Sequence, residues 1–164
     1  MGTLNYSNLW ILRHGAYEMD ALTDRGKAQI RIATEIMFNQ GLGQEEYPII
    51  MCSPARRASE SAFVIEDEAR KAGKRITTMH LQYLDILNAG GTSEKKLEKI
   101  IEFANSNKWA QDLLIVTHQE VAELLPELIL RRDFGNSKEY FFNKGEGAYI
   151  NLSNGQLTEI RQPQ

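Results

Sequence analysis

The chain has 164 residues, the size of one compact domain with room for its own hydrophobic core. Its 19 basic and 22 acidic residues leave a formal charge of -3, a balance that excludes attachment to nucleic acid or to a membrane by bulk charge. The single cysteine, Cys52, rules out a disulfide within the chain and suits a reducing, cytoplasmic setting. The longest apolar stretch near the N-terminus, residues 9–12, is far too short for a signal-peptide core or a membrane span. Met1-Gly2 opens like a myristoylation signal, but Tyr6 stands where that signal needs Ser or Thr. No repeat, linker or low-complexity block divides the sequence, so one domain over residues 1–164 is expected.

The apolar run at 9–12 reads as a buried strand that stops abruptly at Arg13-His14-Gly15. Thr23 is placed to cap a helix with Asp24 in its first turn, Ile30, Ala33 and Met37 on the buried stripe and Gly41 at its close. Residues 48–52 form a second buried strand. Ser53-Pro54 follows as an expected N-cap with proline at the first helical position, and Ala58, Ala62, Ile65 and Ala69 mark that helix's inner face as far as Gly73. A third, poorly patterned strand lies within 76–84, and residues 88–91 read as a glycine loop. Ser93 caps a helix carrying Leu97, Ile100, Ile101 and Ala104. Residues 113–117 have the composition of a central strand and end in His118-Gln119-Glu120. The helix expected over 121–132 turns Leu124, Leu125 and Leu128 inward, and Pro126 should kink or divide it. Ser153-Asn154-Gly155 between the runs at 148–152 and 156–160 predicts a hairpin.

Strands alternating with helices predict a three-layer α/β sandwich. Its central sheet is mostly parallel, helices cover both faces, and the C-terminal hairpin is antiparallel. Ligands of such sheets bind beyond the carboxyl ends of the strands, which selects the loops at 13–15, 53–57 and 117–120. Those loops hold two of the chain's three histidines together with Arg13, Arg56 and Arg57. Imidazoles among guanidiniums repel a metal ion and suit a tetrahedral dianion, because arginine donates in a planar fork and stays charged. Neither a metal nor a cofactor is expected. His80 receives no role, and Cys52, closing an apolar strand, reads as core.

These elements, in this order, resemble the histidine phosphatase superfamily, the phosphoglycerate mutase-like fold. Arg13-His14-Gly15 matches its Arg-His-Gly signature, and Leu22-Thr23-Asp24-Arg25-Gly26 is similar to its Leu-Thr-x-x-Gly element. Residues 53–62 resemble its Ser-Pro-x-x-Arg-Ala-x-x-Thr-Ala element, with Ser61 in the threonine's place and Arg57 as the pocket arginine. His118 matches the family's second histidine. The resemblance implies a phosphatase acting through phosphohistidine on His14. Arg13, Arg57 and His118 would hold the phosphoryl oxygens, with Gly15 and Gln119 beside them, and Arg56 would be a surface residue.

The motifs lie close together along the chain, as in the short phosphohistidine phosphatases of that superfamily. This implies a phosphorylated protein, such as a phosphorelay domain, as the first substrate class. A small phosphomonoester is the alternative, and a phospholigand-binding module without turnover is a third reading. The proton donor departs from the family pattern. Glu120, two residues beyond His118, is preferred over Asp85, whose register is open.

Overall fold

The computed structural model describes residues 3–44, 47–84 and 93–164. The glycine loop expected over 88–91 and the alternative acid Asp85 lie outside them, as do Met1 and Gly2. The elements are β1 (Asn8–Arg13), β2 (Tyr17–Glu18), β3 (Ala21–Leu22), α1 (Asp24–Asn39), β4 (Ile49–Cys52), α2 (Arg56–Lys71) and β5 (Thr77–His80). They continue with α3 (Glu94–Ser106), β6 (Asp112–Thr117), α4 (Gln119–Phe134), β7 (Gly147–Asn151) and β8 (Gln156–Ile160). Six strands make one sheet in the order β5-β4-β6-β1-β7-β8. The first four are mutually parallel, and β7 and β8 return antiparallel at one edge. The fold class expected from the sequence is the one observed.

The period of two along each buried strand decides which helix covers which face. Leu9, Ile11, Ile49, Met51, Leu113 and Ile115 point one way and meet α3 and α4 through Leu97, Ile101, Val121 and Leu125. Trp10, Leu12, Ile50, Cys52, Leu114 and Val116 point the other way and meet α1 and α2 through Ile30, Met37, Ala62 and Ile65. Every residue of β4 and β6 is buried, so these strands could not show an amphipathic alternation in sequence.

Local chemistry sets the helix ends. Thr23 Oγ1 accepts from Gly26 N–H at 3.0 Å to start α1, and Ser93 Oγ accepts from Lys96 N–H at 3.2 Å to start α3. Gly73, at φ +74, ends α2, where Lys74 N–H turns back to Ala69 O.

Three local expectations are corrected. Ser53 is not the cap residue of α2: the helix begins at Arg56 behind Ala55, and the Ser53 hydroxyl, outside it, accepts from Ala55 N–H at 3.2 Å while lying 2.9 Å from His118 Nε2. Pro126 does not divide α4, which runs unbroken from Gln119 to Phe134. The ring removes only the bond to Ala122 O, and burial of Leu125, Leu128 and Ile129 holds the helix together. Leu124 does not face inward. The buried stripe runs through 121, 122, 125, 128 and 129, which leaves Leu124 on its flank at 38% exposure. The short β2–β3 hairpin has no signature in the sequence, since two-residue strands carry no periodicity.

Candidate active site

The register of the sheet brings the two histidines together. In the parallel pairing of β1 with β6, Arg13 lies opposite Thr117, so the next residue on each strand is a histidine. His14 N–H donates to Thr117 O at 3.0 Å, and the two imidazole centroids are 5.2 Å apart, nearly edge to face. Ser53 N–H donates to Val116 O at 3.0 Å, which ties the end of β4 to the same corner. Both imidazoles are buried, His14 at 3% and His118 at 2% exposure.

His14 is held in one orientation. Its Nδ1 lies 2.9 Å from Gly15 O, an acceptor only, so Nδ1 carries the proton and Nε2 carries the lone pair. That Nε2 accepts from Arg57 Nε–H at 3.3 Å. Burial, reinforced by the nearby cationic groups of Arg57 and Arg13 and by His118, pushes the His14 pKa down to about 3 against the opposing bond to Gly15. The imidazole is therefore neutral throughout the physiological range.

Arg57, in the first turn of α2, bridges the pair. Its Nη2 lies 3.4 Å from His118 Nδ1, and its Nη1 is ion-paired with Asp20 Oδ1. His118 Nε2 and Ser53 Oγ are 2.9 Å apart. With Nδ1 facing a guanidinium, the consistent tautomer has Nε2–H donating to Ser53. Arg56, one residue away and about 100° round the helix, points outward and pairs with Glu60 at 2.7 Å. Arg13 is half-buried at the end of β1. Its Nη1 donates to Phe142 O at 2.8 Å, while its buried Nε meets no protein acceptor.

The remaining sequence candidates are less central. Gly15 N–H donates to Ser61 Oγ at 3.1 Å, so that donor is already engaged; a Cβ on Gly15 would stand 2.6 Å from Gly26 O. Gly15 thus serves the close approach of two backbones. Gln119 is exposed and its amide donates to Glu123 at 3.3 Å. Glu120 lies half-buried in the first turn of α4. His80 is exposed, with Nδ1 near Cys52 Sγ and Ser59 Oγ at the far end of β5. Burial pushes the Cys52 thiol up to about 11, so it is inert packing.

Four site residues escaped the sequence reading. Ser53 has the sequence signature of a cap. Ser61 was noted only as a stand-in for threonine; its hydroxyl accepts from Gly15 N–H and donates to Arg57 O at 2.7 Å, joining the histidine loop to α2. Tyr17 packs edge-on against His14 at 5.2 Å, with the Arg57 guanidinium 4.8 Å from its ring centre. Asp20 pairs with Arg57. The last two lie in an aperiodic loop, and only Ser61 carried a signal, its i+4 spacing from Arg57. Among the described residues no group of three or more His, Cys, Asp or Glu side chains is placed to hold a metal ion.

No protein-family model and no curated protein matches this sequence. Solved structures do match its fold. A candidate alpha-ribazole-5'-P phosphatase from Escherichia coli K-12 superposes with a TM-score of 0.62 at 18% identity, over 96% of this chain and 97% of its own. A candidate phosphohistidine phosphatase, SixA, from Agrobacterium tumefaciens gives 0.64 at 15% identity, over 94% of this chain and 96% of its own. The product of open reading frame Rv3214 of Mycobacterium tuberculosis gives 0.58 at 16%, over 94% and 96%. At these identities the likeness is one of fold.

Proposed function

We propose that this chain is a phosphatase that works through a phosphohistidine on His14 and needs no metal ion. The observation that carries the reading is the state of His14: neutral, its Nδ1–H fixed on Gly15 O, its Nε2 lone pair turned toward Arg57, with the His118 ring 5.2 Å away. Such an imidazole attacks without a separate base. Nε2 bonds to phosphorus as the bond to the leaving group breaks. Arg13, Arg57 and His118 offset the charge on the transferring oxygens. Glu120 supplies the proton the leaving group needs. Water then attacks phosphorus, the N–P bond breaks, and the electron pair returns to Nε2 as inorganic phosphate departs.

Phosphohistidine on a protein is the preferred substrate. The A. tumefaciens structure that matches over 94% of this chain is described as a candidate phosphohistidine phosphatase. A phosphoramidate also leaves with little help from a proton donor, which suits a site whose acid is the least defined group. One observation favours a small phosphomonoester instead. Beside Arg13 lies a cleft of about 770 Å³ lined by Arg25, Lys144, Arg161 and Gln162, a volume in the small-ligand range, which shares only Arg13 with the phosphoryl site.

A panel of a phosphohistidine peptide, sugar phosphates and an aryl phosphate in one buffer tests both readings. The expected result is turnover, fastest on phosphohistidine, with an acid-labile phosphoryl group trapped on His14 and absent from His14→Ala. Faster turnover of sugar phosphates would move the substrate to the small esters. Binding without turnover of any of them would leave a recognition module.

A further inference from the structure

The attacking lone pair of His14 is covered. Arg57 Nε–H sits on it at 3.3 Å, and Tyr17 closes the ring's flank with its centroid 5.2 Å away. What holds the guanidinium there is Asp20, whose Oδ1 receives Nη1. All three Arg57 nitrogens are therefore engaged, on His14, Asp20 and His118.

Asp20 reaches this position from an uncommon turn. Met19 and Asp20 form the two-residue connection of the β2–β3 hairpin, with φ of +49 and +67, the pair of positive values of a type I′ turn. Asp tolerates that region, but Met does not favour it, and the Met19 side chain gains no packing at 93% exposure. The hairpin is anchored at its base instead. Leu22 N–H donates to Glu60 Oε2 at 2.7 Å, and Tyr17 is clasped between His14 and the cations of Arg57 and Lys144. A non-glycine turn kept at positive φ beside a nucleophile marks a functional constraint.

We infer that Asp20 is an internal stand-in for substrate: its carboxylate takes the phosphoryl group's place on Arg57 and keeps the guanidinium over His14 Nε2 until a phosphoryl dianion displaces it. This rests on His14 being the nucleophile. A carboxylate brings one charge, whereas a phosphomonoester or phosphoramidate dianion brings two and three acceptor oxygens, so it wins Arg57. The latch must open before any anion binds, so it weakens every anionic ligand by the same factor.

Asp20→Asn removes the charge and keeps the turn, since asparagine tolerates positive φ. The pair is partly exposed, so inorganic phosphate measured by calorimetry should bind this variant only roughly three- to tenfold more tightly. KM for an aryl phosphate should fall by a similar factor, and the affinity for an aryl sulfate should rise by that same factor. A readout that needs no turnover is the rate at which diethyl pyrocarbonate acylates His14, followed by peptide mass. It should rise several-fold in Asp20→Asn and be suppressed by phosphate. Asp20→Gly, which relaxes the backbone, should behave alike if the carboxylate is the cause. An effect in Asp20→Gly alone would assign it to the turn and overturn the latch. Weaker phosphate binding and lower kcat/KM in Asp20→Asn would also overturn it, showing that Asp20 holds Arg57 in its working position. If the wild type proves inactive on all phosphate esters, the phosphatase reading fails, while the acylation rates still decide the latch.

Discussion

A buried imidazole that stays neutral has a consequence for stability. His14 has its pKa pushed from 6.5 to about 3, while the unfolded chain keeps the ordinary value. Between these pH values the unfolded state binds the proton and the native state does not. This contribution is therefore fully present above pH 6.5 and is lost as pH falls toward about 3, by up to a few kcal/mol. His14→Asn should flatten the dependence of Tm on pH across that window, while abolishing turnover at every pH. At the neighbouring arginines the expectation is asymmetric. Arg57→Ala should lower kcat/KM by about 10²–10³-fold, the usual loss of a transition-state charge ligand. Arg56→Ala, which removes an exposed pair with Glu60, should leave kcat/KM within about twofold. The reverse ranking would show that the site is built on the other arginine.

At the scale of elements, the site is a junction of strand ends fastened by small residues. Gly15 of the histidine loop and Gly26 of α1 meet backbone to backbone, and a Cβ on Gly26 would lie 2.0 Å from Ala16 O. Gly26→Ala should destabilise the fold by about 3 kcal/mol or more, since backbone rather than a flexible side chain must yield. Urea unfolding would measure it, and an effect under about 0.5 kcal/mol would show that the loop accommodates the methyl group freely. Ser61→Ala is milder. It leaves Gly15 N–H without its acceptor, which costs about 1–3 kcal/mol, and it frees the loop that carries His14, so kcat should fall more than KM changes. Ser61→Thr keeps the hydroxyl and should restore both.

For the whole molecule, the three layers deliver Arg13, His14, Arg57 and His118 to one edge of the sheet from β1, α2 and the β6–α4 junction. A site made of imidazoles and guanidiniums repels metal ions, so activity should be unchanged by EDTA. Activity lost in chelator and restored by a divalent cation would refute the metal-independent mechanism. Substrates should bind less tightly as salt rises, because the recognised group is a dianion among cations.

Much of this was legible in the residues. The apolar runs at 9–12, 48–52 and 113–117, each halted by a polar cluster, determined the parallel core and the loops beyond it, because a strand buried on both faces needs a continuous apolar run. Thr23, Ser93, Gly73 and Asn154-Gly155 determined element ends, because caps and turns are local chemistry. What only the tertiary structure decided depends on residues far apart in sequence. Ser53 looks like the cap by local rules, but the helix starts only at Arg56, and the Ser53 hydroxyl also reaches His118, 65 positions away, at 2.9 Å. The covering of His14 by Arg57, held by Asp20 from an aperiodic hairpin, has no periodic or local signature, because it arises from a register between strands and a turn that packs across them.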